Sequence, residues 1–326
     1  PARSDHAEEE TVSAPTIDQA SVTVPAPVGP GAAAPSAGLS KTPVPAPAAA
    51  PAAGRSTARR RFLQAAWAAS LAAALLTGFV GYLFTLSHLQ ERHSQSTSYK
   101  TFRDQLAKAV APTGAAADGA PVALIDIPAI GLHQAVVVEG TTGRDLMRGP
   151  GHRRDTALPG QQGVSVLFGR GASFGAPFAR LSELRVGDKI TTTTGQGRFT
   201  YTVNVYGGAD QPITDPARNR LVLVTGDSGW IPSGTVLIGA RLDDEAGPNP
   251  GGRPATIAYD KALAADKGAL GALQLWTLGL LGAVLAATAA ARWWRRSAAY
   301  LSLAPVLGAL LWSVYENAAA LLPNLY

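Results

Sequence analysis

The 326-residue chain contains no cysteine and one methionine, and charged residues make up only 16% of it. The absence of cysteine excludes disulfides, thiolate metal sites and a cysteine nucleophile together. Histidine is scarce too. His6, His88, His93, His133 and His152 show neither HxxxH nor HExxH spacing, so no zinc site is expected and no cofactor is implied. Positive charge exceeds negative by 5, but much of it lies in short clusters, Arg55 with Arg59-Arg60-Arg61 and Arg292 with Arg295-Arg296. Both clusters flank apolar runs, as membrane-topology signals do, and no aromatic-basic recognition motif accompanies them. Nucleic acid is therefore not an expected partner.

Alanine, glycine and proline dominate residues 1–58, which carry an acidic patch at Glu8-Glu9-Glu10 and no periodic apolar face. Such a segment buries too little surface to offset its ordering entropy, and it is expected to be a disordered cytoplasmic tail. A first transmembrane helix is predicted over 59–88. Its apolar run, 62–86, is long enough for a ~30 Å hydrocarbon core, and the preceding arginines place that side in the cytoplasm. The run is longer and deeper in the sequence than a cleaved signal peptide. Two further helices are predicted over 269–291 and 298–322, joined by a cytoplasmic loop, 292–297, that holds Trp293 and Trp294. The chain then reads as a multi-pass cell-membrane protein, with its amino terminus inside, its middle domain outside and Tyr326 at the outer surface.

Polar residues interrupt the last two runs. Glu316 and Asn317 lie near the outer end of one and Gln274 near the outer end of the other, close enough along the hairpin for a contact between them. An ionisable residue in a membrane helix is a functional candidate by default. The alternative is that the helix ends near Tyr315 and Glu316 faces interfacial water. Pro305 should bend this helix.

Residues 89–119 read as a linker in which Tyr99, Phe102, Leu106 and Ala109 follow helical spacing over 98–110. From 120 to 243 the pattern changes to short β-branched and aromatic runs bounded by Gly, Pro and Asp. Strands are predicted over 122–127, 135–138, 164–168, 189–194, 198–206, 221–225 and 235–241, with Gly195-Gln196-Gly197 turning one hairpin. Many strands with tight turns and little helix point to a mainly β, closed or nearly closed barrel. Residues 244–268 form a second linker.

Four separated segments share one family resemblance. They are Ile127-Pro128-Ala129-Ile130-Gly131-Leu132; Gly149-Pro150-Gly151-His152 with Thr156-Ala157-Leu158-Pro159-Gly160 and Gly163; Phe174-Gly175-Ala176-Pro177-Phe178 with Leu181, Leu184 and Gly187-Asp188; and Leu221-Val222-Leu223-Val224-Thr225. In order and spacing, roughly over 95–242, they resemble the sortases, cell-surface transpeptidases typical of actinobacterial and other Gram-positive envelopes. The resemblance implies a sortase-like closed barrel of about seven to eight strands with short helices, here joined to three transmembrane helices.

It also implies a catalytic histidine, cysteine and arginine, and this sequence has none of them at the matching positions. The histidine position is Arg170, in Gly169-Arg170-Gly171. The cysteine position, after Thr225, is Gly226. The arginine position falls near Thr235. Glycine has no atom with which to attack a carbonyl. Arginine stays protonated at neutral pH and cannot act as a general base. Thr235 can donate a hydrogen bond but brings no positive charge. Arg241 is no substitute, since it lies six residues further along a strand, ~20 Å away. His152 belongs to a block that precedes the family's base, which favours a structural or rim role.

These residues support a non-catalytic sortase-like protein that binds or organises an envelope protein segment, an envelope polymer or an active sortase at the membrane. In that reading Arg170 either offers its donor fork to a ligand or pairs with an acid such as Asp227. A rival reading is a hydrolase or transpeptidase rebuilt around Ser228, Asp227 and Arg170. A third gives the function to the last two membrane helices and makes the barrel a spacer.

Overall fold

The computed structural model describes residues 53–208, 213, 217–227, 232–293 and 296–326. Most of the predicted cytoplasmic tail, Ser228 and the middle of the basic loop lie outside the described residues.

Alternating β-branched residues build the strands β1 (Pro121–Ile127), β2 (Leu132–Glu139), β4 (Val164–Phe168), β5 (Lys189–Thr194), β6 (Gly197–Gly208), β7 (Arg220–Gly226) and β8 (Thr235–Leu242). All seven answer to predicted strands. An eighth, β3 (Gly151–His152), is too short to show any period. It nevertheless completes the closed barrel β1-β2-β3-β4-β7-β8-β6-β5 by pairing parallel to β2 and antiparallel to β4. Thr194 pairs with Gly197 across the predicted Gly195-Gln196 turn. Ile125, Ile127, Val137, Leu167, Phe178, Tyr201, Leu221, Leu223 and Ile238 meet inside the barrel and are buried.

His152 takes the structural role expected of it. Its fully buried ring meets Glu139 at 2.9 Å through Nδ1 and the Ala157 carbonyl at 2.9 Å through Nε2. The second linker is also tied to the barrel. Asp260 forms a bidentate pair with Arg154, 2.6 Å from Nε and 3.1 Å from Nη2, and accepts the Thr141 amide at 3.3 Å.

The predicted linker helix turns out to be the end of a much longer one. α1 (Ala53–Gly81) passes through one π-helical turn, Tyr82–Leu86, directly into α2 (Ser87–Ala107). No glycine or proline occurs from 82 to 107, so nothing in this stretch breaks the helix. α2 seats the fully buried Phe102 against Leu124 and Val136 of the barrel. By length and composition two helices can cross a membrane, Arg59–Ala107 and Ala269–Arg292. The second lies in α3 (Ala269–Trp293). The third expected span corresponds to α4 (Arg296–Ala319), which contains Pro305 without being ended by it.

Beyond the apolar stretch, Glu91 lies beside the loop Phe174-Gly175-Ala176, whose residues have φ of 51°, 77° and 44°. A Cβ on Gly175 would sit 2.6 Å from the Glu91 carboxyl. Burial pushes this carboxyl up to about 7, with Arg92 opposing. The folded protein therefore holds a proton that the unfolded chain releases at lower pH, and stability falls as pH rises toward 7. Glu91→Gln should raise the melting temperature at pH 8 and change it little near pH 4.5, as thermal unfolding in detergent at the two pH values will show.

Candidate functional site

Strand register brings the three substituted positions together. β4 and β7 run parallel with Phe168 beside Val224, and the Gly169 N–H donates to the Val224 carbonyl at 3.0 Å. Carrying the register two residues on sets Arg170, just past β4, level with Gly226, the last residue of β7, which pairs in turn with Thr235 on β8. Beside them opens a pocket of about 290 Å³, lined in part by Phe178, Ser182, Thr225, Asp227 and Pro232.

Arg170 is wholly buried. Its Nη2 donates to the Gly143 carbonyl at 2.9 Å, and its Nη1 donates to Ser173 Oγ at 3.1 Å and to the Tyr326 carbonyl at 3.4 Å. The guanidinium carbon lies 4.9 Å from the centre of the Phe174 ring. Burial pushes the guanidinium down to about 9, which still leaves it charged at neutral pH. Neither expected arrangement occurs: the fork is not open to solvent, and it does not pair with Asp227. The Asp227 carboxylate instead accepts the Ser233 and Gly234 amides at 3.1 and 2.8 Å, capping the turn into β8. Among the described residues, Arg170 Nε and Thr225 Oγ1 have no hydrogen-bond partner.

The Tyr326 carbonyl belongs to the segment that follows α4. The Gly171 N–H donates to the Leu325 carbonyl at 3.0 Å, and Ser173 Oγ donates to the Tyr326 carbonyl at 2.7 Å. Leu325 is fully buried among Leu146, Phe168, Val222 and Val224. Asn324 is buried as well and donates through Nδ2 to the Thr141 and Lys261 carbonyls at 2.8 and 2.9 Å. Tyr326 joins Tyr82 and Phe174 in a second apolar cluster, where Ser87 at the start of α2 accepts the Phe174 N–H at 3.2 Å.

Residues 125–230 match the sortase domain family. The barrel is a sortase domain. Over 80 residues the chain is 35% identical to sortase D of Bacillus subtilis (strain 168), a match that spans 24% of this chain and 38% of that relative. Solved structures similar to the chain include a Clostridium perfringens sortase D5 transpeptidase, at 24% identity over 47% of this chain and 99% of that one, with a TM-score of 0.39. Sortase E from Streptomyces avermitilis is 30% identical over 40% of this chain and 91% of its own, with a TM-score of 0.34.

Where β4 and β7 end in this sortase domain, position 226 supplies no nucleophilic atom and position 170 supplies a cation already bound to Ser173 and to two main-chain oxygens. A Cβ on Gly226 would meet Pro232 Cβ at 2.7 Å and the Leu325 carbonyl at 3.2 Å. A side chain there therefore displaces either Pro232 or the Leu325 backbone.

The polar residues near the end of α4 find partners in other elements. Glu316 accepts from Gln90 Nε2 at 3.1 Å, and Asn317 accepts from Arg144 Nη2 at 2.9 Å. Gln274 is exposed, and the anticipated contact across the hairpin gives way to these bonds with α2 and the barrel. They ring a cavity of about 450 Å³ that Trp276 and Arg148 also line. Sequence reasoning missed the 321–326 segment. Its only sequence signal is the pair Leu325 and Tyr326 standing after Pro323, beyond the end of the apolar run.

Proposed function

We propose that this sortase domain has given up transpeptidation and acts as a binding or organising module for an envelope protein or peptide at the outer face of the membrane. The observation that carries the reading is that the paired strands β4 and β7 lead to Arg170 and Gly226, two groups that offer neither a nucleophile nor a proton acceptor at neutral pH. An extended peptide is the class of ligand such a groove suits. One of the similar solved structures, a Clostridium perfringens sortase C, carries a C-terminal cell wall sorting motif. The topology proposed with this reading has three spans, the amino terminus and the 292–297 loop in the cytoplasm, and the barrel outside.

Purified full-length protein incubated with sorting-signal peptides and an amine acceptor should give no acyl transfer. Gly226→Cys should give none either, since Arg170 cannot take up the thiol proton and Pro232 crowds the new side chain. Transfer that disappears in Ser228→Ala would overturn the proposal in favour of a rebuilt active site. A photoreactive residue at Ser182, which is exposed and lines the open part of the pocket, should capture a discrete envelope partner in intact cells.

A further inference from the structure

We infer that residues 321–326 are a built-in ligand of the sortase groove, so that a partner enters only molecules in which this segment has withdrawn. This rests on the proposed binding role and adds what controls access to it.

Two kinds of contact hold the segment. Main-chain recognition comes from the Gly171 N–H to the Leu325 carbonyl, Ser173 Oγ to the Tyr326 carbonyl, and the Asn324 N–H to the Ala264 carbonyl at 2.9 Å. Side-chain recognition comes from the apolar pocket that encloses Leu325 and from the two carbonyls that bind the Asn324 amide. The segment is not a strand: the Tyr326 N–H donates to the Pro323 carbonyl at 3.0 Å, and this turn buries Asn324, Leu325 and Tyr326 together.

The glycine at 226 fits the same picture. Its φ is not in the left-handed region, so backbone conformation does not call for glycine there. Close approach does, since a Cβ would lie 3.2 Å from the Leu325 carbonyl and 2.7 Å from Pro232. The missing nucleophile and the seated segment are thus linked: the space a side chain would occupy is bounded by the segment's backbone. Arg170 completes the seat. Among the described residues its hydrogen-bond acceptors are the Ser173 hydroxyl and the main-chain oxygens of Gly143 and Tyr326, the last of which belongs to the segment.

The chain has no native thiol, so an introduced cysteine reports on its own surroundings. Thr225→Cys lies beside the segment at a position now 4% exposed, and Thr192→Cys lies in the barrel at a position 0% exposed. In full-length protein, maleimide should modify both slowly. Leu325→Asp should speed modification at 225 at least tenfold and leave 192 protected. Asn324→Ala, which removes two hydrogen bonds but keeps the apolar anchor, should speed it several-fold. Unchanged rates at 225 in both variants would overturn the inference. Faster modification at 192 as well would signal loss of fold in Leu325→Asp, and Asn324→Ala then decides.

Capture of a partner from position 182 in cells should increase with Leu325→Asp. Equal capture with and without that change would overturn the gating role and leave the binding role standing. Capture in neither, with the labelling result as expected, would overturn the binding role and leave the segment as a seated ligand.

Discussion

Asp260→Ala should cost about 3–5 kcal/mol of unfolding free energy, the range for removing one partner of a buried ion pair. Its carboxylate is fully buried and bidentate to Arg154, and it also accepts the Thr141 and Ile257 amides, at 3.3 and 3.0 Å. Removing it leaves Arg154, 9% exposed, with Asp118 as its remaining carboxylate. The effect reaches the site through the loop that begins at Thr141. That loop offers the Thr141 carbonyl to Asn324 and the Gly143 carbonyl to Arg170. Denaturant unfolding of the full chain in detergent measures the loss, and a cost below about 1 kcal/mol would show that the pair is dispensable.

Gly151→Ala should have the second largest effect, about 3 kcal/mol, at the upper end for overpacking. A Cβ there would lie 2.3 Å from the Gly140 carbonyl oxygen and 2.7 Å from a Leu146 methyl. A flexible side chain can swing away, whereas a backbone carbonyl moves only with its strand. The Gly140 N–H donates to the His152 carbonyl at 2.9 Å, so pushing this loop aside also disturbs the short strand that closes the barrel. A melting temperature within 2 °C of the parent would contradict the clash, since 1 kcal/mol corresponds to a shift of ~2–4 °C in a chain of 150–250 residues.

The barrel was legible because its strands keep a period of two between clear breakers, as in 164–168 and 221–225, where the structure adds no more than one residue at each end. Strand β3 was not, since two residues carry no period and their pairing depends on partners far along the chain. The convergence of positions 170, 226 and 235 could be inferred from motif spacing, because the parallel register between β4 and β7 carries on to Gly226 at the end of β7 and to Arg170 two residues past β4. Two of the three partners of Arg170 could not, the third, Ser173 Oγ, being only three residues along. Gly143 is 27 residues away and Tyr326 is 156, and neither contributes through a side chain that a sequence displays. Backbone carbonyls look alike at every position, so a site built from them leaves no signature.

The single π-helical turn at Tyr82–Leu86 shows how the barrel is mounted. A flexible tether would let the domain sweep a volume and meet partners at many heights. A continuous rod from the apolar stretch into α2, pinned to the barrel by Phe102 and to the 174 loop by Ser87, instead fixes the bearing and altitude of the groove. Under the binding role and topology proposed above, a client would have to present its segment at that altitude, so the length of the client's own stalk would become a criterion of selection.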